Sequence, residues 1–270
     1  GGRVELVGRN ATISVASPDD PLYPLQWNLS AVDAEGGWSR VPDARGVSVA
    51  ILDTGVAYED YHHGRDRFAQ APDLTGTPFV PGFDFVDGDE HPNDEHGHGT
   101  HVAGIIAETT NNGMGTAGLA IGAAIMPLRI LDASGIGTEA EVLDALDTAV
   151  ANGAEVINLS FVFGADYVPS RALEEAVARA LDSGATIVAA AGNDGAEVVR
   201  YPAAMQGVLA VGASTLTPAG GFVRADYSNS GTDLDLLAPG GDLTQDANGD
   251  GIADGVLAQT FYPADPLTFG

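Results

Sequence analysis

Val47-Ser48-Val49-Ala50-Ile51-Leu52, followed at once by Asp53-Thr54-Gly55, is the stretch on which the reading of this chain turns. A nearly continuous apolar run suits a strand covered on both faces, as in a parallel sheet. Asp53 then stands where that strand ends. Sites of parallel α/β sheets gather at this carboxyl edge, and a carboxylate there can orient an imidazole. The same residue also reads as an ordinary turn aspartate, so position alone does not decide its role.

Working outward, strand and helix patterns alternate. Helices are expected from Thr100 to Glu108, from Glu139 to Asn152 (ended by Gly153) and from Ser170 to Ser183. Strands are expected from Ala124 to Leu131, Val156 to Ser160, Thr186 to Ala191 and Val208 to Val211. Repeated β-α-β units of this kind predict a three-layer α/β fold, a mostly parallel twisted sheet with helices on both faces. Residues 1–16 read as a separate arm or leader remnant, with Val4, Leu6, Ile13 and Val15 alternating, and 17–270 as one domain. The long stretches 56–95 and 214–270 break the pattern, and loops of that length are usually functional or metal-bound.

Composition narrows the classes. An apolar content of 44% in 270 residues supports a folded core and argues against disorder. No apolar run approaches the ~20 residues of a membrane span, and Gly1-Gly2-Arg3-Val4-Glu5 lacks the order of a signal peptide. Cysteine is absent, which excludes disulfides and thiolate metal sites. The net charge is −27 and all 11 basic residues are arginine. Such a surface repels nucleic acid and anionic membranes and attracts cations.

Two chemical alternatives attach to the motifs. Asp-Thr-Gly also occurs in aspartic proteases, which need a second such loop so that paired carboxylates share a proton. The only candidate, Asp182-Ser183-Gly184, ends a helical run in which Gly184 serves as a C-cap. His96, His98 and His101, with His91 near, raise a zinc site and a metallohydrolase. However, no His-Glu-x-x-His is present. His98, flanked by glycines at the start of a helix, can instead act as a general base steered by Asp53.

Taken together, Ile51-Leu52-Asp53-Thr54-Gly55-Val56 and His98-Gly99-Thr100-His101-Val102-Ala103-Gly104 strongly resemble the subtilisin-like serine proteases (subtilases), in that family's Asp-then-His order. A third block, Ala189-Ala190-Ala191-Gly192-Asn193-Asp194-Gly195, resembles the family's oxyanion segment. The resemblance implies that Asn193 donates its amide to the developing oxyanion. Losing that donor costs roughly 10²–10³ in turnover, a figure measured in this same family. It also implies substrate-binding roles for Gly135, Ile136 and Gly137, as a strand pairing with extended substrate, and for Ser160 beside a specificity pocket. The family usually has Leu-Gly-Gly after that serine. Here Phe161-Val162-Phe163 stands instead, which alters the pocket wall.

The family's Gly-Thr-Ser-Met-Ala nucleophile segment is expected after Ala238-Pro239-Gly240, yet residues 241–270 contain no serine. Ser228 and Ser230 match a non-catalytic turn. The expectation is a catalytic domain incomplete at its C-terminus, with the serine beyond residue 270 and residues 1–270 inactive alone.

Calcium is expected on the same resemblance, with Asp20, Asp73 and Asn112 matching parts of the family's strong site. Spacing adds Asp246, Asn248, Asp250 and Asp254, which keep an EF-hand-like order with Leu257 where a bidentate Glu would sit. The acidic loop 84–95 is a further candidate. The whole reading is a secreted, calcium-stabilised serine endopeptidase domain acting on polypeptide, with a propeptide or a C-terminal segment as a further partner. A non-catalytic, calcium-dependent peptide-binding relative is the competing reading.

Overall fold

A computed structural model describes residues 17–64, 66–262 and 265–270. The expected arm at 1–16 lies outside the described residues.

Near the start of the described chain, short helices α1 (Trp27–Ala31) and α2 (Ala34–Trp38) lead into β1 (Ser48–Asp53). A small hairpin, β2 (Tyr61–His63) and β3 (Asp66–Phe68), precedes β4 (Phe83–Asp84) and α3 (His98–Ala107). Next come β5 (Ala124–Arg129), α4 (Glu139–Ala151), β6 (Val156–Leu159), α5 (Arg171–Asp182), β7 (Thr186–Ala190) and β8 (Leu209–Leu216). Seven strands run in the order β10-β8-β7-β6-β1-β5-β4, where β10 is Leu236–Pro239, and every pair along this path is parallel. The strand β9 (Phe222–Arg224) adds an antiparallel edge to β8. Short pairs β11 (Gly241–Asp242) with β12 (Asp254–Gly255), and β13 (Phe261–Tyr262) with β14 (Asp265–Phe269), close the chain.

The central strand β1 shows why the layers form. Ala50 and Leu52 belong to the same buried core as Val142 and Leu146 of α4 and Leu173 of α5. Val49 and Ile51 face the other way and pack with Ala103 and Ala107 of α3. Alternation along one strand therefore feeds two cores, and the apolar run had to be continuous. The two flanking helices have clear start signals. Thr138 and Glu141 make a capping box on α4, and the Ser170 side chain accepts from Leu173 N on α5.

Because the strands are parallel, their carboxyl ends share one edge. Asp53 aligns there with Arg129 of β5, and Asp84 of β4 aligns with the same arginine. The helix α3 begins two residues earlier than expected, so His98 is its first residue.

Candidate active site

Asp53 is fully buried, and its Oδ1 accepts hydrogen bonds from His98 Nδ1 at 2.7 Å and from its neighbour Thr54 N at 2.7 Å. Since the carboxylate only accepts, Nδ1 carries the proton and Nε2 is left as the basic nitrogen. The His98 side chain is 44% exposed. The hydrogen bond to Asp53 raises the imidazole pKa and outweighs burial, which lowers it.

The pair is held by a member of the acidic loop 84–95, whose acids suggested a cation site and not this role. Asp94 is buried and lies four residues before His98. Its Oδ1 accepts from Thr54 Oγ1 (2.9 Å), His96 N (2.9 Å) and Gly97 N (2.9 Å). Its Oδ2 accepts from Thr100 N (2.9 Å) and Thr100 Oγ1 (2.6 Å). Gly97, the N-cap of α3, has no side chain to offer, so Asp94 supplies the missing acceptor to the first turn. Thr54 Oγ1 also accepts from Gly99 N at 3.0 Å. One carboxylate and one hydroxyl thus bolt the Asp53 loop to the His98 helix. Burial pushes the Asp94 pKa up, against the pull of these bonds. An acid just before a helix start was the available signal.

Asn193 lies exposed in the loop that leaves β7. Asn229, fully buried, shapes that loop: its side-chain oxygen accepts from Asp194 N (2.9 Å) and Ala196 N (3.0 Å), and its amide donates to Ala191 O (3.2 Å). Asn229 N closes the arrangement on Gly192 O at 2.9 Å. Nothing in the sequence singled out Asn229 for this role.

The segments expected to bind substrate come together. Gly135, Ile136 and Gly137 form one wall, and Phe161 and Val162 the other, of a cavity of about 260 Å³. Residues 133–134 are a turn and 135 a bend, and 134–137 lie outside the regular strands, where a strand was expected. Asp132 Oδ1 accepts from Ser134 N (2.8 Å) and Ile136 N (3.0 Å), and Gly135 takes φ +72°. Ser160, just outside β6, accepts from Asn158 Nδ2 at 2.8 Å.

Asp20, Asp73 and Asn112 also converge. Asn112 donates from its amide to Asp73 Oδ1 (2.7 Å) and from its backbone to Asp20 Oδ1 (3.1 Å). Both carboxylates are buried, and no ion pair among the described residues reaches either. Burial raises the pKa of Asp73 and pushes neighbouring Glu108 up to about 7, with Asp73 and Asp20 adding to the latter. All four carboxylate oxygens accept hydrogen bonds, yet neither acid meets a positive charge, and two buried carboxylates in that state suit a hard cation.

The remaining candidates separate. Asp246, Asn248, Asp250 and Asp254 share one loop, but no three His, Cys, Asp or Glu side chains among the described residues form a ready-made metal cage. The acidic loop 84–95 meets a cation from the protein itself: Arg129 contacts Asp84 (2.7 Å), Asp87 (2.7 Å) and Glu95 (2.5 Å). The histidines diverge as well, since His98 bonds Asp53 while His101 Nε2 donates to Val256 O at 3.2 Å.

Comparison with known proteins agrees with this geometry. The family model described as "Subtilase family" matches residues 44–264. The chain is 40% identical over 239 residues to "Thermophilic serine proteinase" of Bacillus sp. (strain AK1), covering 88% of this chain and 55% of that one. It is 36% identical to "Thermitase" of Thermoactinomyces vulgaris, covering 83% and 74% respectively. The chain thus spans little more than half of the first relative and about three quarters of the second. Among solved structures, that titled "Proteases from Pseudoalteromonas arctica PAMC 21717" aligns with TM-score 0.73 at 29% identity, over 90% of this chain and 77% of that one. "Crystal structure of a cold adapted subtilisin-like serine proteinase" aligns with TM-score 0.59 at 32% identity, over 74% and 64%. With the family's Asp and His blocks hydrogen-bonded at the sheet edge and the family match spanning most of its length, the chain belongs to the subtilase family.

Proposed function

We propose that this chain is the larger part of a secreted, calcium-stabilised serine endopeptidase domain whose nucleophile lies beyond residue 270. The observation that carries the reading is the 2.7 Å bond from His98 Nδ1 to buried Asp53, on a side chain that is itself 44% exposed. A serine hydroxyl brought to Nε2 would lose its proton to His98 as its oxygen attacks the peptide carbonyl carbon. Asp53 holds the tautomer and stabilises the imidazolium that forms. Asn193 donates its amide to the tetrahedral oxyanion. Protonated His98 then gives its proton to the leaving amine, and water repeats the sequence on the acyl-enzyme.

Polypeptide substrate would lie between the 135–137 segment and Phe161-Val162. Bulky Phe161 and Val162, where the family usually has leucine and glycine, narrow that channel. Asp20, Asp73 and Asn112 would hold Ca²⁺, which supplies the positive charge that these buried acids otherwise lack. Export is supported by the subtilase membership, and no described helix is long and apolar enough to cross a membrane.

The test uses the coding sequence continued past Gly270. The extended protein should hydrolyse an unfolded protein substrate and react with a serine-directed fluorophosphonate, and His98→Ala should abolish both. Loss of about 10⁶ in kcat is the value measured in this same family for its histidine. Residues 1–270 alone should show neither reaction. A natural stop near Gly270, or a continued sequence without the serine, would favour the non-catalytic peptide-binding reading.

A further inference from the structure

Residues 246–254 form a loop between β11 and β12 with oxygen-bearing side chains at its first, third, fifth and ninth positions. Asp246 and Asp250 lie on the exposed side of the loop, together with Asn248. Asp254 does not: it is 1% exposed. Its Oδ2 accepts from Ala247 N at 2.7 Å, which aims the carboxylate into the loop between Asp246 and Asn248. Its Oδ1 is buried without any hydrogen-bond partner. No ion pair among the described residues reaches Asp246, Asp250 or Asp254. A buried carboxylate oxygen with neither donor nor cation is an incomplete arrangement. In sequence it closes a run of oxygen-bearing side chains that at present accept from loop amides: Asp246 from Gly249, Asp250 and Gly251, Asn248 from Asp250, and Asp250 from Ile252.

The chain leaving this loop ties it to the active-site helix. Residues 255–261 run as a strap over α3. Gly255 O accepts from Trp27 Nε1 (2.9 Å), and Val256 O accepts from His101 Nε2 (3.2 Å). Gly104 leaves room for Ala258, whose methyl would lie 3.1 Å from a Cβ placed on that glycine. Thr260 Oγ1 donates to Gly97 O at 2.6 Å, on the residue just before His98. Phe261 is buried against the β1 and α3 core. The strap thus touches the His98 helix at its first turn and at its middle, and Asp254 is the residue from which it departs.

We propose that residues 246–254 form a Ca²⁺ site, with Asp246, Asn248, Asp250 and Asp254 as ligands, whose filling holds the 255–261 strap against the His98 helix. The first three side chains are exposed and turn toward the ion as it binds, while Asp254 is already placed. A flexible set of carboxylate and amide oxygens suits Ca²⁺ better than Mg²⁺, which demands a near-ideal octahedron. Leu257 replaces the bidentate twelfth ligand, so affinity falls in the weak range of extracellular modules, about 10⁻⁴–10⁻³ M. The proposed benefit to the active site rests on reading His98 as the base. The binding and the clamping do not.

The experiment uses the 270-residue chain, stripped of metal and titrated with CaCl₂, and reads bound equivalents and amide hydrogen exchange. In the unaltered chain, saturating Ca²⁺ should slow exchange about tenfold or more at 255–261 and at 97–104. The pair Asp246→Asn with Asp250→Asn, both at exposed positions, should lose one bound equivalent and that protection. Asp73→Asn, which disables the other candidate set and leaves the backbone bond from Asp73 N to Gln259 Oε1 in place, should lose only that set's equivalent and keep the calcium-dependent protection at 255–261. Far-UV circular dichroism checks that each variant is folded, and Asp254→Asn gives a second, single-site test with the same expected losses. The proposal fails if the double variant binds as many equivalents as the parent chain. It also fails if the equivalent is lost without change in exchange, or if MgCl₂ at equal concentration protects equally. No hydrolysis is measured, so a failure here is distinct from a failure of the peptidase reading.

Discussion

His98 donates from Nδ1 to Oδ1 of Asp53 across 2.7 Å, and this bond sets the proton affinity of the ring. In an NMR titration of the 270-residue chain, the His98 imidazole should titrate above 6.5, and Asp53→Asn should bring its midpoint down. Stability carries the same sign. A folded-state pKa above the unfolded value means that the pair's contribution is fully present below about pH 6.5 and is lost as pH rises through the folded pKa. Catalysis runs the other way, because only neutral His98 accepts a proton. In a serine-complete protein, kcat/KM should climb as pH passes the same midpoint. A midpoint at or below 6.5 would contradict the assigned bond.

Asp94→Ala removes the acceptor shared by Thr54, His96, Gly97 and Thr100 in a buried place. Several donors lose their partner at once, so the expected loss is about 2–4 kcal/mol of stability. In a chain of this size that corresponds to a fall in melting temperature of about 5–15 °C. Asp94→Asn should recover only part of it, since an amide offers one accepting oxygen and turns an NH₂ toward groups that donate. Thermal unfolding of the two variants checks both the size and the order.

Legibility in the sequence depends on the range of the interactions. The run 47–52 and the helix after His98 have local causes, alternation and glycine placement, and both are legible. So are Asp20, Asp73 and Asn112 as neighbours, though only through a family resemblance, since 92 residues separate Asp20 from Asn112. Arg129 is invisible: its three acids at 84, 87 and 95 look like a cation site because nothing in sequence says that a guanidinium 34 or more residues away fills their centre. The strap 255–261 is hidden for the same reason. Its bonds to Gly97 and His101 join residues more than 150 positions apart, and no periodicity marks it.

The buried acids at Asp20 and Asp73 make a calcium prediction independent of the loop at 246–254. Millimolar CaCl₂ should raise the melting temperature of the chain, and a chelator should lower it. In Asp73→Asn the part of that shift owed to this set should vanish. Ligand linkage makes the gain about 2.7 kcal/mol at one hundred times Kd. A melting temperature indifferent to both calcium and chelator would refute calcium stabilisation.

Glu108 gives a pH dependence that calcium-free buffer should expose. Burial pushes its pKa up from 4.5 to about 7. The folded chain therefore holds a proton that the unfolded chain has released, and stability falls as pH rises between about 4.5 and 7, then levels off. Glu108→Gln removes this effect while keeping an oxygen for Gln259 N and turning its NH₂ to the Thr116 hydroxyl, which can accept. The difference in melting temperature between parent and variant isolates it from the many other acids. That difference should shift in the variant's favour across this window, and a constant difference would show that Glu108 titrates normally.

Gly192 and Asn229 yield the last prediction, on the loop that carries Asn193. Gly192 takes φ +111°, a region that side chains rarely adopt, and a Cβ there would lie 2.4 Å from Asn229 Nδ2. Alanine at 192 therefore meets strain and a clash together, and should cost about 2–3 kcal/mol. Asn229→Ala removes the opposite half of the contact. It frees Asp194 N and Ala196 N from their acceptor while leaving Asn193 in place. In a serine-complete protein, the amide of Asn193 would then sit on a looser loop, so kcat should fall by about tenfold or more with KM little changed, because the oxyanion exists only in the transition state. Asn229→Asp keeps the accepting oxygen and should restore part of kcat. Equal losses in kcat for the alanine and aspartate variants would break the link between Asn229 and the oxyanion donor.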